Sequence, residues 1–320
     1  MSLQSLGTRG IIGAFFLALS QYMGSSWIDK ISMLFSDSDQ AIETYKWLGM
    51  VPQMREWIGG KNAKGFRDNG LTIANKDFEA TLEVLVKDLR RDKTGQAMIR
   101  IAELAARAGG HWGALLSTLI TNGTGTTSGL CYDGQYFFDD DHSEGESGTQ
   151  KNLLTATEVP VLNIGTATTP TSLEAAKAIL GVIAYMINYK DDQGEPINAD
   201  AKSFLVMTSP ALWPYLCAGA VSETLTSGES NPVKKIVESE GYSIQIVPNP
   251  RLAFTTQFAT FIADGAVKAF IRQEEVPISM KVLGEGSDVA FMDGKHLYSV
   301  EASRNVGYGL WQKASHSTFS

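Results

Sequence analysis

Two adjacent stretches of this chain carry opposite periodicities, and neither has an obvious partner close by in sequence. From Phe78 the apolar residues alternate. Phe78, Ala80, Leu82, Val84 and Val86 fall on one face, Glu79, Thr81, Glu83 and Lys87 on the other, with Leu85 the single exception. Period two is the mark of a half-buried strand. Joined to the preceding segment through the Asn69-Gly70 turn signal, it predicts a long β-hairpin. The period then changes. Between Thr94 and Gly123, the residues Met98, Ile101, Ala105, Ala108, Trp112, Leu115 and Leu119 recur at alternating steps of three and four, one continuous helical stripe. A helix over about residues 96–121 would run roughly 39 Å. Gly109-Gly110 marks a kink or a close contact in it, and Gly123 stands where a C-terminal cap belongs. An isolated two-stranded hairpin is marginal in water, so something must cover its apolar face. A neighbouring subunit is the natural cover, with Phe78, Leu82 and Val84 as contacts. On that reading Val84→Asp blocks assembly and leaves a folded monomer.

The flanking regions are organised differently. Arg9–Gln21, "RGIIGAFFLALSQ", sets a basic residue before a short apolar core, as a secretory signal does. It is too short to span a membrane. Ile11, Ile12, Phe15, Phe16, Leu19, Tyr22 and Met23 sit at helical spacings, so an amphipathic arm docking on protein is expected. Near Asn152 a second unit begins. Thr171 and Glu174 have capping-box spacing before an Ala- and Leu-rich run. Ser203–Ser209 reads as a buried strand, and Pro210 and Pro232 each open a helix. Helices alternating with short strands suggest a compact α/β unit. The final part alternates around Asp264-Gly265 and Asp293-Gly294, two hairpin signals that predict long antiparallel ribbons.

Composition narrows the function classes. A formal charge of −8 over 320 residues disfavours gripping nucleic-acid phosphates. The nearest basic cluster, Lys87, Arg90, Arg91 and Lys93, is interrupted by Asp88 and Asp92 and reads as a mixed solvated face. Cys131 and Cys217 form no disulfide framework and read as free thiols in a reducing compartment. The segment that most resembles chemistry is "YFFDDDHSEGES", Tyr136–Ser147, where Asp139, Asp140, Asp141, Glu144 and Glu146 surround His142. Hard cations favour such carboxylates, yet the calcium-loop spacing is absent. A catalytic zinc would want further histidines, and His111 lies inside the helix. Neither Gly-x-Ser-x-Gly nor His-Glu-x-x-His occurs, and the glycine-rich loops lack the strand-loop-helix order of phosphate binders. No catalytic, cofactor or metal residue is therefore assigned. Phe137 and Phe138 are expected to anchor a junction between the long helix and the inserted unit. The carboxylates are expected to face solvent or a neighbour, with His142 pairing one of them.

An arm, a hairpin, a long solitary helix, an α/β insertion and closing strands suit a shell protein, whose neighbours supply missing contacts. The residues also carry a family resemblance. Tyr45–Gly59, "YKWLGMVPQMREWIG", resembles the Leu-Gly…Pro…Met-Arg-Glu-Trp-x-Gly segment of Mu-like phage major head subunits. Ala74–Glu79 resembles their second hairpin strand, and Tyr132–His142 their Asp-Gly…Phe-Phe…Asp-His segment. Ser143 departs from the proline that often follows this histidine, and the arm is only generically similar. The resemblance implies an α+β fold of the HK-97-type tailed-phage major capsid class. It places an N-terminal arm at about residues 1–44, an extended β-hairpin loop at 45–89, a peripheral domain at 90–151 and 253–320, and an axial domain at 152–252. It implies hexamers and pentamers closing an icosahedral head around double-stranded DNA, assembled in the host bacterial cytoplasm and ending in the virion. Met54, Arg55, Glu56 and Trp57 join Phe78, Leu82 and Val84 as expected subunit contacts. A portal and a separate scaffold protein are implied as partners, a decoration protein is left open, and no membrane is involved. The rival readings are an encapsulin-like shell around an enzyme cargo and, more remotely, a metal-dependent hydrolase built on Asp139–Glu146.

Overall fold

A computed structural model of the chain describes residues 8–22, 27–36, 42–45, 70–91 and 95–320. In chain order, α1 (Thr8–Tyr22) is followed by α2 (Ile28–Ile31), β1 (Ser32–Phe35), β2 (Ile42–Tyr45), β3 (Leu71–Ala74) and β4 (Lys76–Leu85). Three helices follow: α3 (Val86–Arg91), α4 (Gln96–Gly109) and α5 (His111–Asn122). Short strands β5 (His142–Ser143), β6 (Thr149–Gln150) and β7 (Leu153–Leu154) lead into α6 (Ser172–Ile187). Then come β8 (Ser203–Thr208), α7 (Trp213–Val221), α8 (Pro232–Ser239) and β9 (Ser243–Pro248). The chain closes with β10 (Gln257–Ile262), β11 (Phe270–Leu283), α9 (Asp288–Met292), β12 (Lys295–Tyr308) and β13 (Ala314–Thr318).

Two larger sheets organise these elements. The first has the order β1-β11-β12-β4. Its centre is the antiparallel pair β11 and β12, in register from Phe270↔Tyr308 to Leu283↔Leu297. Irregularities in that ladder fall between Glu274 and Val276 and again between Val276 and Ser279. Pro277 lies between them and has no N–H to give a partner strand. The alternating strand read from sequence is β4, but it pairs antiparallel with β12 over Leu85↔Lys295 to Lys76↔Arg304. The hairpin expectation is corrected in part: β3 pairs with β2, while β4 is the edge of a sheet built from the distant C-terminus. Lys46 to Asn69, the rest of the expected loop, lies outside the described residues.

The second sheet has the order β7-β13-β10-β8-β9. It crosses the boundary expected at residue 252, because β10 and β13 pair with one another and β10 also pairs with β8 of the inserted unit. Asp264-Gly265 is not a hairpin turn, since β10 and β11 belong to different sheets. The Asp264 carboxylate instead accepts the backbone N–H groups of Lys202, at 2.5 Å, and Ser203, at 2.6 Å. It thereby pins the start of β8 beside the end of β10. The capping box at α6 forms as expected, with Thr171 and Glu174 bonding reciprocally.

The expected single helix is two. The Gly110 N–H still reaches the Ala106 carbonyl at 2.9 Å, but the chain turns at Gly110 into α5. Gly123 does follow α5, though with φ of −64° it is no left-handed cap. Its lack of a side chain serves packing: a Cβ there would sit 2.5 Å from the Phe138 ring.

The arm helix α1 docks within its own chain. Ile11, Phe15 and Leu19, four residues apart, pack with Ala97, Ile101 and Ala105 of α4, Val84 of β4, and Tyr298 and Val300 of β12. Val84 is therefore buried by its own chain, and the expected adjacent-subunit cover is not what buries it. A charge at this position would be stranded in the core, so Val84→Asp destabilises the monomer instead of sparing it. Phe78 and Leu82 remain half-buried.

Phe15 is fully buried whereas Leu17, two residues on, is 64% exposed. Phe15→Ala is expected to lower unfolding stability by about 3–5 kcal/mol in urea titrations and to expose the arm to proteolysis. Leu17→Ala should leave both unchanged.

Candidate functional site

The acidic segment folds around two aromatic anchors. Phe137 and Phe138 are both fully buried and lie edge to face at 4.9 Å. Phe137 stacks on Tyr308 of β12 at 4.7 Å and contacts Phe270 of β11 at 5.0 Å. Phe138 packs against Gly123, whose carbonyl accepts the Phe138 N–H at 2.8 Å, and against His316 of β13. The pair thus joins the end of α5, the long β11–β12 ribbon and the second sheet. The Tyr308 hydroxyl completes the joint by donating to the Leu119 carbonyl of α5 at 3.1 Å.

His142 is not at the surface. Its ring is fully buried and stacked on Trp311 at 4.1 Å, six degrees from parallel. Nδ1 lies 2.6 Å from an Asp133 oxygen, and Nε2 lies 3.2 Å from the Asn152 side-chain oxygen. The Asn152 amide cannot be turned the other way, because its nitrogen donates to the Phe137 carbonyl at 2.7 Å and the Trp311 carbonyl at 3.4 Å. Its oxygen also accepts the Asp139 N–H at 2.8 Å. Both imidazole nitrogens therefore lie against side-chain oxygens, which together with the Trp311 stack fix the orientation of the ring. The expected partner is corrected: His142 pairs with Asp133, not with a carboxylate of its own segment. Asn152 is the hub that sequence reasoning missed. A lone asparagine carries no pattern that announces four buried hydrogen bonds.

The carboxylates divide. Asp140, Asp141 and Glu146 are exposed, as expected, but Glu144 is buried. Asp139 spends its oxygens on the turn, accepting the Tyr136 N–H at 3.0 Å and the Asp140 N–H at 2.8 Å. The oxygens of Asp139, Asp140 and Asp141 lie within 4.8 Å of one another, and exposed acidic groups commonly do so with no ion. At Gly145 (φ +52°) a side chain would collide with the Asp192 carbonyl, so the acidic loop locks onto the turn after α6. This segment is a structural joint. Cys131, also buried here, has its thiol pushed well up by burial and by Asp133, which keeps it protonated and unreactive.

A second buried polar group sits at the helix break. The Arg304 side chain of β12 is 3% exposed. It donates to His111 Nδ1 at 3.1 Å and to the Ala108 carbonyl at 3.3 Å, lies 4.7 Å from the centre of the Trp112 ring, and reaches Glu274 at 3.6 Å. Burial, with the Arg304 charge adding to it, lowers the His111 pKa to about 4. Phe78 packs edge-on to the same imidazole at 4.4 Å. Met54, Arg55, Glu56 and Trp57 lie outside the described residues. Among the described residues, no helix is long and apolar enough to cross a membrane.

Comparison with known proteins sets this architecture in context. The family model described as Mu-like prophage major head subunit gpT matches residues 8–171 and 240–319. Over 124 residues the chain is 37% identical to the Mu-like prophage FluMu major head subunit of Haemophilus influenzae, covering 38% of this chain and 39% of that protein. Over 117 residues it is 33% identical to the major capsid protein of Escherichia phage Mu, covering 37% of each. The aligned segments thus span well under half the length of these curated relatives. Among solved structures, the procapsid of bacteriophage JBD30 superposes with a TM-score of 0.52 at 22% identity, covering 98% of this chain and 75% of that one. At that identity the likeness shows the fold alone.

Two predictions follow from the geometry. Asn152→Ala leaves several buried groups without partners and is expected to cost about 3 kcal/mol or more in chemical denaturation. Asp140→Asn and Asp141→Asn should cost almost nothing. The second concerns acid. Burial lowers the His316 pKa to about 4, as at His111, from an ordinary 6.5. The unfolded chain takes up these protons first, so stability is complete above about pH 6.5 and declines as pH falls toward 4. His316→Phe, which keeps an aromatic ring between Phe138 and Phe254, should flatten that decline when unfolding is compared at pH 7 and 5.

Proposed function

The chain belongs to the family of Mu-like prophage major head subunits, and from that premise we propose that it is the major capsid protein of a tailed bacteriophage. In this reading it assembles as hexamers and pentamers into an icosahedral head that encloses double-stranded DNA, and its place is the virion. The observation that carries the reading is the division of the family match. It spans residues 8–171 and 240–319, which hold the docked arm, the broken helix and the β11–β12 ribbon, and within the insertion it leaves out residues 172–239, the stretch of α6, β8, α7 and α8. The match therefore covers the part that builds the frame.

The reading assigns residues 1–44 to the arm, 45–89 to an extended loop, 90–151 and 253–320 to a peripheral domain, and 152–252 to an axial domain, with β10 and β13 shared across the last boundary. Met54, Arg55, Glu56 and Trp57 are its inter-subunit contacts, together with the half-buried Phe78 and Leu82. A portal and a separate scaffold protein are the partners it requires during assembly. A formal charge of −8 suits a container that must hold DNA without adhering to it. No residue carries a reaction in this account, and symmetry multiplies each modest contact.

Trp57→Ser is expected to give a soluble protein whose melting temperature matches the parent but which forms no shells by electron microscopy. Normal shells from this variant would remove Trp57 from the contacts. Particles from the parent chain, grown with its phage, should contain nuclease-protected DNA; an enzyme cargo in its place would favour the encapsulin-like reading.

A further inference from the structure

Where the inserted unit meets the C-terminal strands, a lysine and an asparagine are held against each other. Lys313, in the turn between β12 and β13, donates from Nζ to the Asn198 side-chain oxygen at 2.8 Å. Asn198 is 2% exposed, and Met186 and Gln312 beside it are buried as well. Its amide cannot turn over, because the nitrogen donates to the Gln312 carbonyl at 2.8 Å and the Met186 carbonyl at 3.0 Å. The amide oxygen is thereby fixed toward the amine. A C=O bond is about 1.23 Å long, so Nζ lies within about 4 Å of the amide carbon, near the separation from which two groups react. Among the described residues Lys313 makes no ion pair. Burial lowers its pKa, with Asp264 opposing the shift and Lys268 adding to it, which favours the neutral, nucleophilic amine. Lys30 also meets an amide oxygen, that of Gln245 at 2.6 Å, but Gln245 is half-buried on the edge strand β9, where water reaches the pair.

We infer that this pair is the site of an isopeptide bond within the chain, formed between Lys313 Nζ and the Asn198 side-chain carbon with loss of ammonia. The inference does not depend on the shell reading. The neutral amine adds to the amide carbon, the bond from that carbon to Nδ2 breaks, and Nδ2 leaves as ammonia with one hydrogen taken from the attacking nitrogen. The proton that the lysine shed before the attack ends on that ammonia, giving ammonium. Nothing is oxidised or reduced, and no further reactant enters. In water such an exchange is slow. Here the fold holds both groups together, so a high effective concentration replaces collision. The bond also removes a cost, since an ammonium drawn out of water against a neutral amide is poorly repaid, and the product carries no charge. It closes a ring over residues 198–313, which holds β8, α7, α8, β9, β10, β11, α9 and β12. A link of that span restricts the unfolded chain and ties the inserted unit to the strands that carry it.

The test uses the full chain, purified folded, held for several days at mildly alkaline pH, then denatured, digested with trypsin and read by mass spectrometry. Trypsin does not cut after an acylated lysine. The bond therefore joins residues 191–202 to residues 305–320 in one branched peptide, lighter than their sum by one ammonia. Without it, residues 191–202, 305–313 and 314–320 are released as three separate peptides. The branched peptide is expected from at least half of the folded protein, and neither from a sample kept in urea throughout nor from Lys313→Arg, which retains the charge and lacks the amine. Recovery of the three separate peptides from most of the folded protein would overturn the assignment. A chain lighter by one ammonia whose digest lacks the branched peptide has cyclised at another asparagine and would overturn it equally.

Discussion

One unbroken strand holds the described structure together. At about 3.3 Å per residue, β12 runs roughly 46 Å, and each part of its length meets a different element. Tyr298 and Val300 floor the pocket that receives the arm helix. Arg304 enters the break between α4 and α5, and Tyr308 stacks on Phe137 and bonds the end of α5. Three residues past the strand, Trp311 lies flat on His142. Arm, helix pair and inserted unit are therefore set relative to one another by a single backbone paired on both sides, with β11 and with β4. A paired strand resists bending at any one point, so a load taken by one contact reaches the others.

The break in the long helix follows from that strand as much as from its glycines. Gly109 and Gly110 make a turn inexpensive, and a buried guanidinium needs acceptors beside it. Ala108 supplies a carbonyl and His111 a ring nitrogen, one on each side of the break. Glu274 and the Trp112 face complete the surroundings of the charge. Removing one member of such a buried group strands the rest, which makes the cluster a determinant of the helix angle.

Local patterns were legible in the residues. The alternation at Phe78 to Val84 forecast β4, the stripe from Met98 to Leu119 forecast α4 and α5, and Thr171 with Glu174 forecast the start of α6. The helical spacing of Ile11, Phe15 and Leu19 forecast an arm that docks on protein. What failed was partnership. A strand's periodicity says which face is buried and nothing about which strand lies alongside, so β4 was matched to a neighbour in sequence instead of to β12 some two hundred residues away. The same limit misplaced Asp264-Gly265, where a turn signal was read without knowing that the aspartate caps β8. The candidate site was half legible: Phe137 and Phe138 stood out as anchors by size and apolarity. His142 was drawn to the carboxylates next to it in sequence, while Asp133 and Asn152, which hold it in space, carried no local sign.

The acidic segment illustrates how composition can mislead about chemistry. Its histidine is consumed by a buried pair, its first aspartate by a turn, and Glu144 by the interior, leaving solvated groups on a rigid joint. A protein so arranged holds its surfaces in fixed relation, as the proposed capsid role requires. The most direct test of that account is the size of the particle it forms. If the proposed capsid role is right, sedimentation velocity and electron microscopy of the purified chain under assembly conditions should reveal closed shells built from rings of six and five. A monodisperse species near 34.7 kDa, or a small fixed oligomer that never closes under those conditions, would contradict it.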